Sequence, residues 1–224
     1  MKSAIHCYYI QNGMPVDRRY YLVSMSESAQ EVYEVLRLIE GVPLFLEDHF
    51  LRMKRSARLV GKQMTWTLSE VEQSIRRLVE ANRVFSGNVK LLVQWEEDEK
   101  GELYTCFIPH RYPSPEQQRE GVRVGTMKAE RRNPNAKVTE LEVRQAADQL
   151  MAEQNLYEVL LINKADEITE GSRSNFFGIL ESNLITPPVK KVLPGITRKK
   201  VLDLAPSVGF TVEERSMKLE MLDR

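Results

Sequence analysis

Ile168-Thr169-Glu170-Gly171-Ser172-Arg173-Ser174-Asn175-Phe176-Phe177, followed by Leu193-Pro194-Gly195-Ile196-Thr197-Arg198, is the pair of stretches on which the reading of this chain turns. The first sets one acidic side chain among small polar residues at a turn, where clustered small residues let a ligand approach the backbone closely. The second is a glycine-led turn opening a helix, so that free N–H groups at Ile196 and Thr197 and the helix dipole face whatever lies before them. A phosphate fits such a place. A carboxylate held against a heterocyclic nitrogen keeps that nitrogen protonated and makes its ring a better electron sink. Together the stretches suit a flat cationic ring carrying a phosphate. Each also has a plainer reading: Glu170 as a solvated turn glutamate, and the Thr197 hydroxyl as an ordinary helix cap.

The chain has 224 residues, enough for one compact domain or two small ones. Its 32 basic residues balance 32 acidic ones, and without a basic run there is no electrostatic case for nucleic acid. No apolar stretch approaches the roughly 20 residues needed to span a bilayer. No long apolar run follows the charged N-terminus, so a secretory leader is not expected and the cytoplasm is the default location. Cys7 and Cys106, in strand-like apolar runs, read as buried free thiols. The three histidines lie far apart without partners at ligand spacing, so no metal site is expected.

Val32 to Ile39 alternates apolar and polar residues, Gly41-Val42-Pro43 turns, and Leu44-Phe45-Leu46 returns, as in a hairpin. Asp48 is placed to cap a helix with Phe50, Met53, Ala57 and Val60 on one face, ended by Gly61. Ser69 is placed to cap a second, with Val71, Ile75, Leu78 and Val79 inward. A further hairpin runs from Asn88 to Trp95 and back from Leu103 to Ile108. Residues 111–120, with Pro113 and Pro115 in a polar run, are the best linker. The order then restarts with a strand at Val122 to Met127, a helix from Leu141 to Ala152, a strand at Val159 to Asn163, short strands near 175–180 and 184–185, and a helix beginning near Thr197. The expected class is α+β: a small N-terminal α+β domain over 1–110, the 111–120 linker, and a larger cofactor-binding domain over 121–224, with a ligand cleft between two small α/β domains.

Two further residues could serve such a ligand. His49 and Arg52 share one helix face, where a guanidinium could bind phosphate through two parallel bonds, although Arg55 and Arg58 on the same helix make a surface cation the plainer reading. Lys137 follows Arg131-Arg132-Asn133-Pro134-Asn135-Ala136 in a loop approaching a helix. A lysine there could form a Schiff base if burial or a neighbouring cation lowered its pKa. Sequence physics alone does not select it among the 32 basic residues.

Read in order, Tyr33-Glu34-Val35-Leu36-Arg37, His49-x-x-Arg52, Asn135-Ala136-Lys137, Thr169-Glu170-Gly171-Ser172-x-Ser174-Asn175-x-Phe177, Thr186-Pro187-Pro188 and Leu193-Pro194-Gly195-Ile196-Thr197-Arg198 resemble the fold-type IV, or class IV, pyridoxal-phosphate enzymes from about Val32 onward. These are the branched-chain and D-amino-acid aminotransferases and the aminodeoxychorismate lyases. The resemblance implies pyridoxal 5'-phosphate held covalently by Lys137, which would also act as the general base. It implies Glu170 on the pyridine nitrogen, Arg52 with the backbone of Ile196 and Thr197 on the phosphate, and Ser174 and Asn175 along the cofactor's back face. The implied reaction exchanges an amino group between an amino acid and a 2-oxo acid, in a homodimer.

The sequence departs from the family pattern in three places. Ser28-Ala29-Gln30-Glu31-Val32 stands where an Asp-Gly pair usually precedes the Tyr-Glu motif, and no Thr-Arg-Gly triplet occurs near Lys90 to Trp95. Family members also continue past the equivalent of Leu222 into a strand and a Thr-rich loop at the phosphate, so a shortened second domain is expected here. Two other readings stay open: a lyase using Lys137 and Glu170 to release pyruvate from a chorismate-derived amine, and a non-catalytic binding or dimerisation module.

Overall fold

The computed structural model of the chain describes residues 4–21, 30–96, 101–130, 134–137 and 141–222. They fall into two compact units, residues 1–112 with 136–139 and residues 113–135 with 140–224.

The first unit is built on strands β1 (Ile5–Gln11), β2 (Met14–Asp17), β3 (Gln30–Ile39) and β4 (Val42–Pro43), then helices α1 (Leu46–Leu59) and α2 (Leu68–Asn82), then strands β5 (Gly87–Trp95) and β6 (Glu102–Ile108). The strands form one antiparallel sheet in the order β2-β1-β6-β5-β3-β4. Successive side chains on a strand point to opposite faces, and this sheet uses both. Val32, Leu36, Val89, Leu91, Val93 and Phe107 pack under Phe50, Met53 and Ala57 of α1 and Val71, Ile75 and Leu78 of α2. The opposite face carries a second cluster of Tyr9, Tyr21, Tyr33, Leu92, Tyr104 and Cys106.

Both helix starts differ from the sequence expectation. Leu46 belongs to α1 rather than to a returning strand, and the cap position is Phe45, in the left-handed region at φ 54°, with no side-chain hydrogen bond. Asp48 therefore sits inside the first turn, where its charge still suits the helix dipole. Thr67 rather than Ser69 caps α2, in a reciprocal box with Glu70 that satisfies two otherwise open donors. The tip of the β5–β6 hairpin, residues 97–100, lies outside the described residues. Cys106 is buried as expected; Cys7 is exposed, and both are free.

The second unit begins with α3 (Pro115–Glu120), capped by Ser114, so the 111–120 stretch is partly helical rather than a plain linker. It continues through β7 (Val124–Lys128), α4 (Leu141–Gln154), β8 (Glu158–Ile162), β9 (Glu167–Gly171), β10 (Gly178–Leu180), β11 (Asn183–Thr186), α5 (Ile196–Leu204), β12 (Thr211–Glu214) and β13 (Met217–Lys218). A four-stranded sheet runs β13-β9-β8-β7 and a three-stranded one β10-β11-β12. The parallel pairs β7–β8 and β11–β12 are joined through α4 and α5, because parallel neighbours need a crossover. Ala147 and Val159 anchor the packing of α4 on its sheet.

Candidate active site

Glu34 is the polar interruption in an apolar row. Val32, Leu36 and Leu38 send their side chains to the helix face of β3, and so does Glu34, which is 0% exposed. Arg52 of α1 donates from Nε to Glu34 Oε1 at 2.7 Å and from Nη2 to Oε2 at 2.6 Å, and His49 Nδ1 lies 2.7 Å from the same Oε2. His49 and Arg52 stand three residues apart on α1 and therefore share a face, as the sequence spacing implies. Burial pushes the Glu34 carboxyl up, but the hydrogen bonds from Arg52 and His49 and the Arg52 and Lys137 charges outweigh it and hold the carboxyl below its ordinary range. Arg52 is thus a buried member of an ionic cluster rather than a surface cation.

Lys137 is tied to the same unit by its backbone. Its N–H donates to the Ser56 hydroxyl at 3.0 Å, and its carbonyl accepts from the Tyr33 N–H at 3.1 Å. The side chain crosses the Tyr33 ring, with Nζ 4.8 Å from the centroid, and the residue is half-buried. The flanking residues 131–133 and 138–140 lie outside the described residues.

In the second unit Glu170 lies in strand β9 rather than at the turn tip, and is 3% exposed. The turn comes immediately after it, where the Gly171 N–H donates to the Ser174 carbonyl at 2.7 Å and Asn175 bridges back to Glu170. The two quoted stretches meet at Leu193. Its N–H donates to Glu170 Oε2 at 3.2 Å, while its carbonyl accepts from Asn175 Nδ2 at 2.9 Å. Asn175 also explains the glycine that follows, since a Cβ on Gly195 would overlap Asn175 Oδ1. Gly195 is the N-cap of α5 with no side-chain cap, so the Thr197 hydroxyl does not fill the role that the plainer reading gave it. Ile196 is buried and Thr197 exposed. Ser174 donates to Glu158 at 2.9 Å, and the same carboxylate accepts from the Ser172 hydroxyl at 2.7 Å.

The structure therefore joins Glu170, Asn175 and the start of α5 within one unit, and Arg52 with Glu34, and Lys137 with Tyr33, within the other. Sequence reasoning gave no role to Glu34, Tyr33, Ser56 or Glu158. An ionisable residue at an inward position of an alternating strand was the available signal for Glu34. Ser56 acts through a hydrogen bond to the Lys137 N–H, and Glu158 through several to Ser172 and Ser174; both link residues distant in sequence, for which sequence carries no local sign.

Each unit, taken by itself, offers groups suited to part of a phosphorylated heterocycle. Glu170 offers a buried acceptor carboxylate beside a cavity of about 220 Å³ whose walls also include Thr169, Asn163 and Lys191. The uncapped start of α5 offers amide donors for an anion, although Ile196 and Thr197 are not part of that cavity's lining. Lys137 offers an amine set on an aromatic face. Among the described residues no group of three or more acidic, histidine or cysteine side chains is placed to hold a metal ion. No helix among them is long and apolar enough to cross a membrane.

Comparison with known proteins gives the family. The family described as Amino-transferase class IV matches residues 31–224. A protein named "Probable branched-chain-amino-acid aminotransferase" in Thermotoga maritima is 30% identical over 188 residues, covering 82% of this chain and 66% of the relative. The chain spans about two thirds of that relative's length. D-alanine aminotransferase of Bacillus licheniformis is 26% identical, covering 92% of this chain and 77% of that protein. The fold is that of a branched-chain amino acid aminotransferase from Thermobaculum terrenum, solved in its PLP-form. It has a TM-score of 0.74 and 21% identity, and the match covers 99% of this chain and 80% of that one. With most of its length matched and its fold shared, the chain belongs to the class IV aminotransferase family, whose cofactor is pyridoxal 5'-phosphate.

Proposed function

We propose that the chain exchanges an amino group between an amino acid and a 2-oxo acid, with Lys137 as the reacting amine and general base. The observation that carries this reading is the placement of Lys137, whose backbone is held by Ser56 and Tyr33 while its amine lies over an aromatic ring. When bound, pyridoxal 5'-phosphate supplies the electron sink that makes the proton on the substrate's reacting carbon labile. Lys137 would take and return that proton, which requires an amine fixed in place. Glu170 would hold a proton at the ring nitrogen, a role that suits a buried carboxylate whose second duty is to orient the Leu193 amide. Arg52, oriented by Glu34, and the backbone of Ile196 and Thr197 would bind the phosphate. Asn175 and Ser174 would act by framing: Asn175 fixes the 193–195 turn, and Ser174 ties the preceding turn to Glu158.

Relatives named for branched-chain amino acids and D-alanine support a small, largely apolar amino acid as substrate. A homodimer in the cytoplasm completes the reading; light scattering on the purified protein tests the first part. The test of the reaction supplies the loaded protein with amino acids one at a time and follows 2-oxo acid formation. Transfer without net loss of carbon is expected. Release of pyruvate from a chorismate-derived amine, with no amino-group transfer, would replace this reading with that of a lyase.

A further inference from the structure

Helix α5 begins with a cation where a helix start favours an anion. Arg198 is its third residue, no acidic side chain accompanies it in the first turn, and it is 4% exposed. A positive charge there opposes the helix dipole, so helix stability alone does not call for it. The contacts of the guanidinium lie outside the helix. Its Nη2 donates to the Pro187 carbonyl at 3.1 Å and lies 2.9 Å from Glu214 Oε2, at the end of β12. The same Glu214 oxygen accepts from the Val189 N–H at 2.9 Å. Nε is buried with no hydrogen-bond partner among the described residues, which costs stability. The connection it makes, rather than the helix it belongs to, explains an arginine here.

Pro187 and Val189 begin the loop that leads from β11 to α5. Further along it, Leu193 is held by Glu170 and Asn175, and the loop ends at the amides of Ile196 and Thr197. Arg198 follows those amides directly, and its side chain returns, by itself and through Glu214, to the residues at which the loop starts. That closes the loop on itself and fixes the direction in which the amides face. The helix start has no side-chain cap to do so locally. From this closure we infer that Arg198, paired with Glu214, is a positioning residue for phosphate binding, which aims the Ile196 and Thr197 N–H groups without touching the cofactor itself. The inference rests on the phosphate role proposed for those amides and adds what orients them. Donors aimed beforehand need no reordering when the phosphate arrives, so the ion pair raises affinity for the phosphate and not for the ring.

The test separates the phosphate from the rest of the cofactor. The cofactor-free protein is titrated with pyridoxal 5'-phosphate and with pyridoxal, which lacks the phosphate, and binding is followed by absorbance. Parent, Arg198→Met, Glu214→Gln and the double variant are compared. Arg198→Met is expected to weaken binding of pyridoxal 5'-phosphate by about 10-fold or more, while its binding of pyridoxal stays within about threefold of the parent. Glu214→Gln, at an exposed position, should weaken the phosphorylated compound less, and the double variant no further than Arg198→Met alone, because the two residues act as a pair. A merely structural role would weaken both compounds alike. That result, parent-like binding of both by Arg198→Met, additive losses in the double variant, or a parent with no preference for the phosphorylated compound overturns the inference. If Arg198→Met does not fold, as read by circular dichroism, Glu214→Gln decides: a loss confined to pyridoxal 5'-phosphate supports the inference, and parent-like binding or an equal loss of both overturns it. Borohydride labelling of Lys137 in the parent reports separately on the proposed reaction, so either can fail while the other stands.

Discussion

Replacement of Glu34 with Ala removes the centre of the ionic cluster in the first unit and leaves a guanidinium and an imidazole without their acceptor in a nearly closed space. Arg52 and His49 are 9% and 7% exposed and lose contacts of 2.6 to 2.7 Å to a carboxylate that water does not reach. Loss of one partner from a buried ion pair costs about 3–5 kcal/mol. With an m-value of about 1–3 kcal/mol/M in urea, the unfolding midpoint should fall by more than about 1 M. The assay is direct: the two tryptophans of the chain, Trp66 and Trp95, are both in the core of the first unit, so their fluorescence reports its unfolding. The double variant Glu34→Leu with Arg52→Met, which removes charge on both sides, should regain most of the loss. The pH dependence has a definite sign. The folded Glu34 carboxyl is held below its ordinary range, so its stabilisation is complete above the unfolded titration and is lost as pH falls through the folded one. A loss below about 1 kcal/mol for Glu34→Ala, or a double variant no better than the single one, would refute the reasoning.

Glu167 makes a second pH prediction: hydrogen bonds from Lys191 and Asn163 hold its carboxyl at about 2, so its stabilisation is full above the ordinary carboxylate range and is lost as pH falls toward 2. Acid titration of parent against Glu167→Gln should show a shallower decline in the variant, and superimposable curves would contradict the assignment. Gly195→Ala drives a methyl into Asn175 and should break the Asn175–Leu193 bond at a cost of about 1–3 kcal/mol. Cofactor affinity, read by fluorescence titration, should fall with it; affinity equal to the parent's would detach that turn from phosphate binding. Glu170→Ala should still be labelled at Lys137 by borohydride yet exchange the substrate's reacting proton more slowly, and an unchanged exchange rate would remove its assigned role.

What the sequence carried and what it left out follow from the range of the interactions concerned. The inward rows of α1 and α2 and the β5–β6 hairpin were legible, because helical and strand periodicity is local and buries the residues it marks. The start of α5 was legible from the glycine-led turn Leu193-Pro194-Gly195, which is also a local signal. Helix starts were less so: Thr67, Ser69 and Asp48 are all competent caps, and the choice among them depends on where the preceding chain arrives. Glu170 was singled out for its small polar neighbours but placed at the turn tip, since only the pairing of β9 with β8 shows it to be a strand residue. The Glu34 cluster, the Ser56 tether of Lys137 and the Tyr33–Lys137 contact link residues 15 to 104 positions apart and exist only after the sheet is assembled.

The proposed chemistry depends on the amine of Lys137. Incubation of the purified protein with pyridoxal 5'-phosphate, borohydride reduction, digestion and mass mapping of the peptides tests it in one measurement. A single stoichiometric adduct is expected on the peptide containing Asn135-Ala136-Lys137, lost in Lys137→Ala. Well-folded protein with Lys137 unmodified, or with the adduct spread over surface lysines, would contradict it.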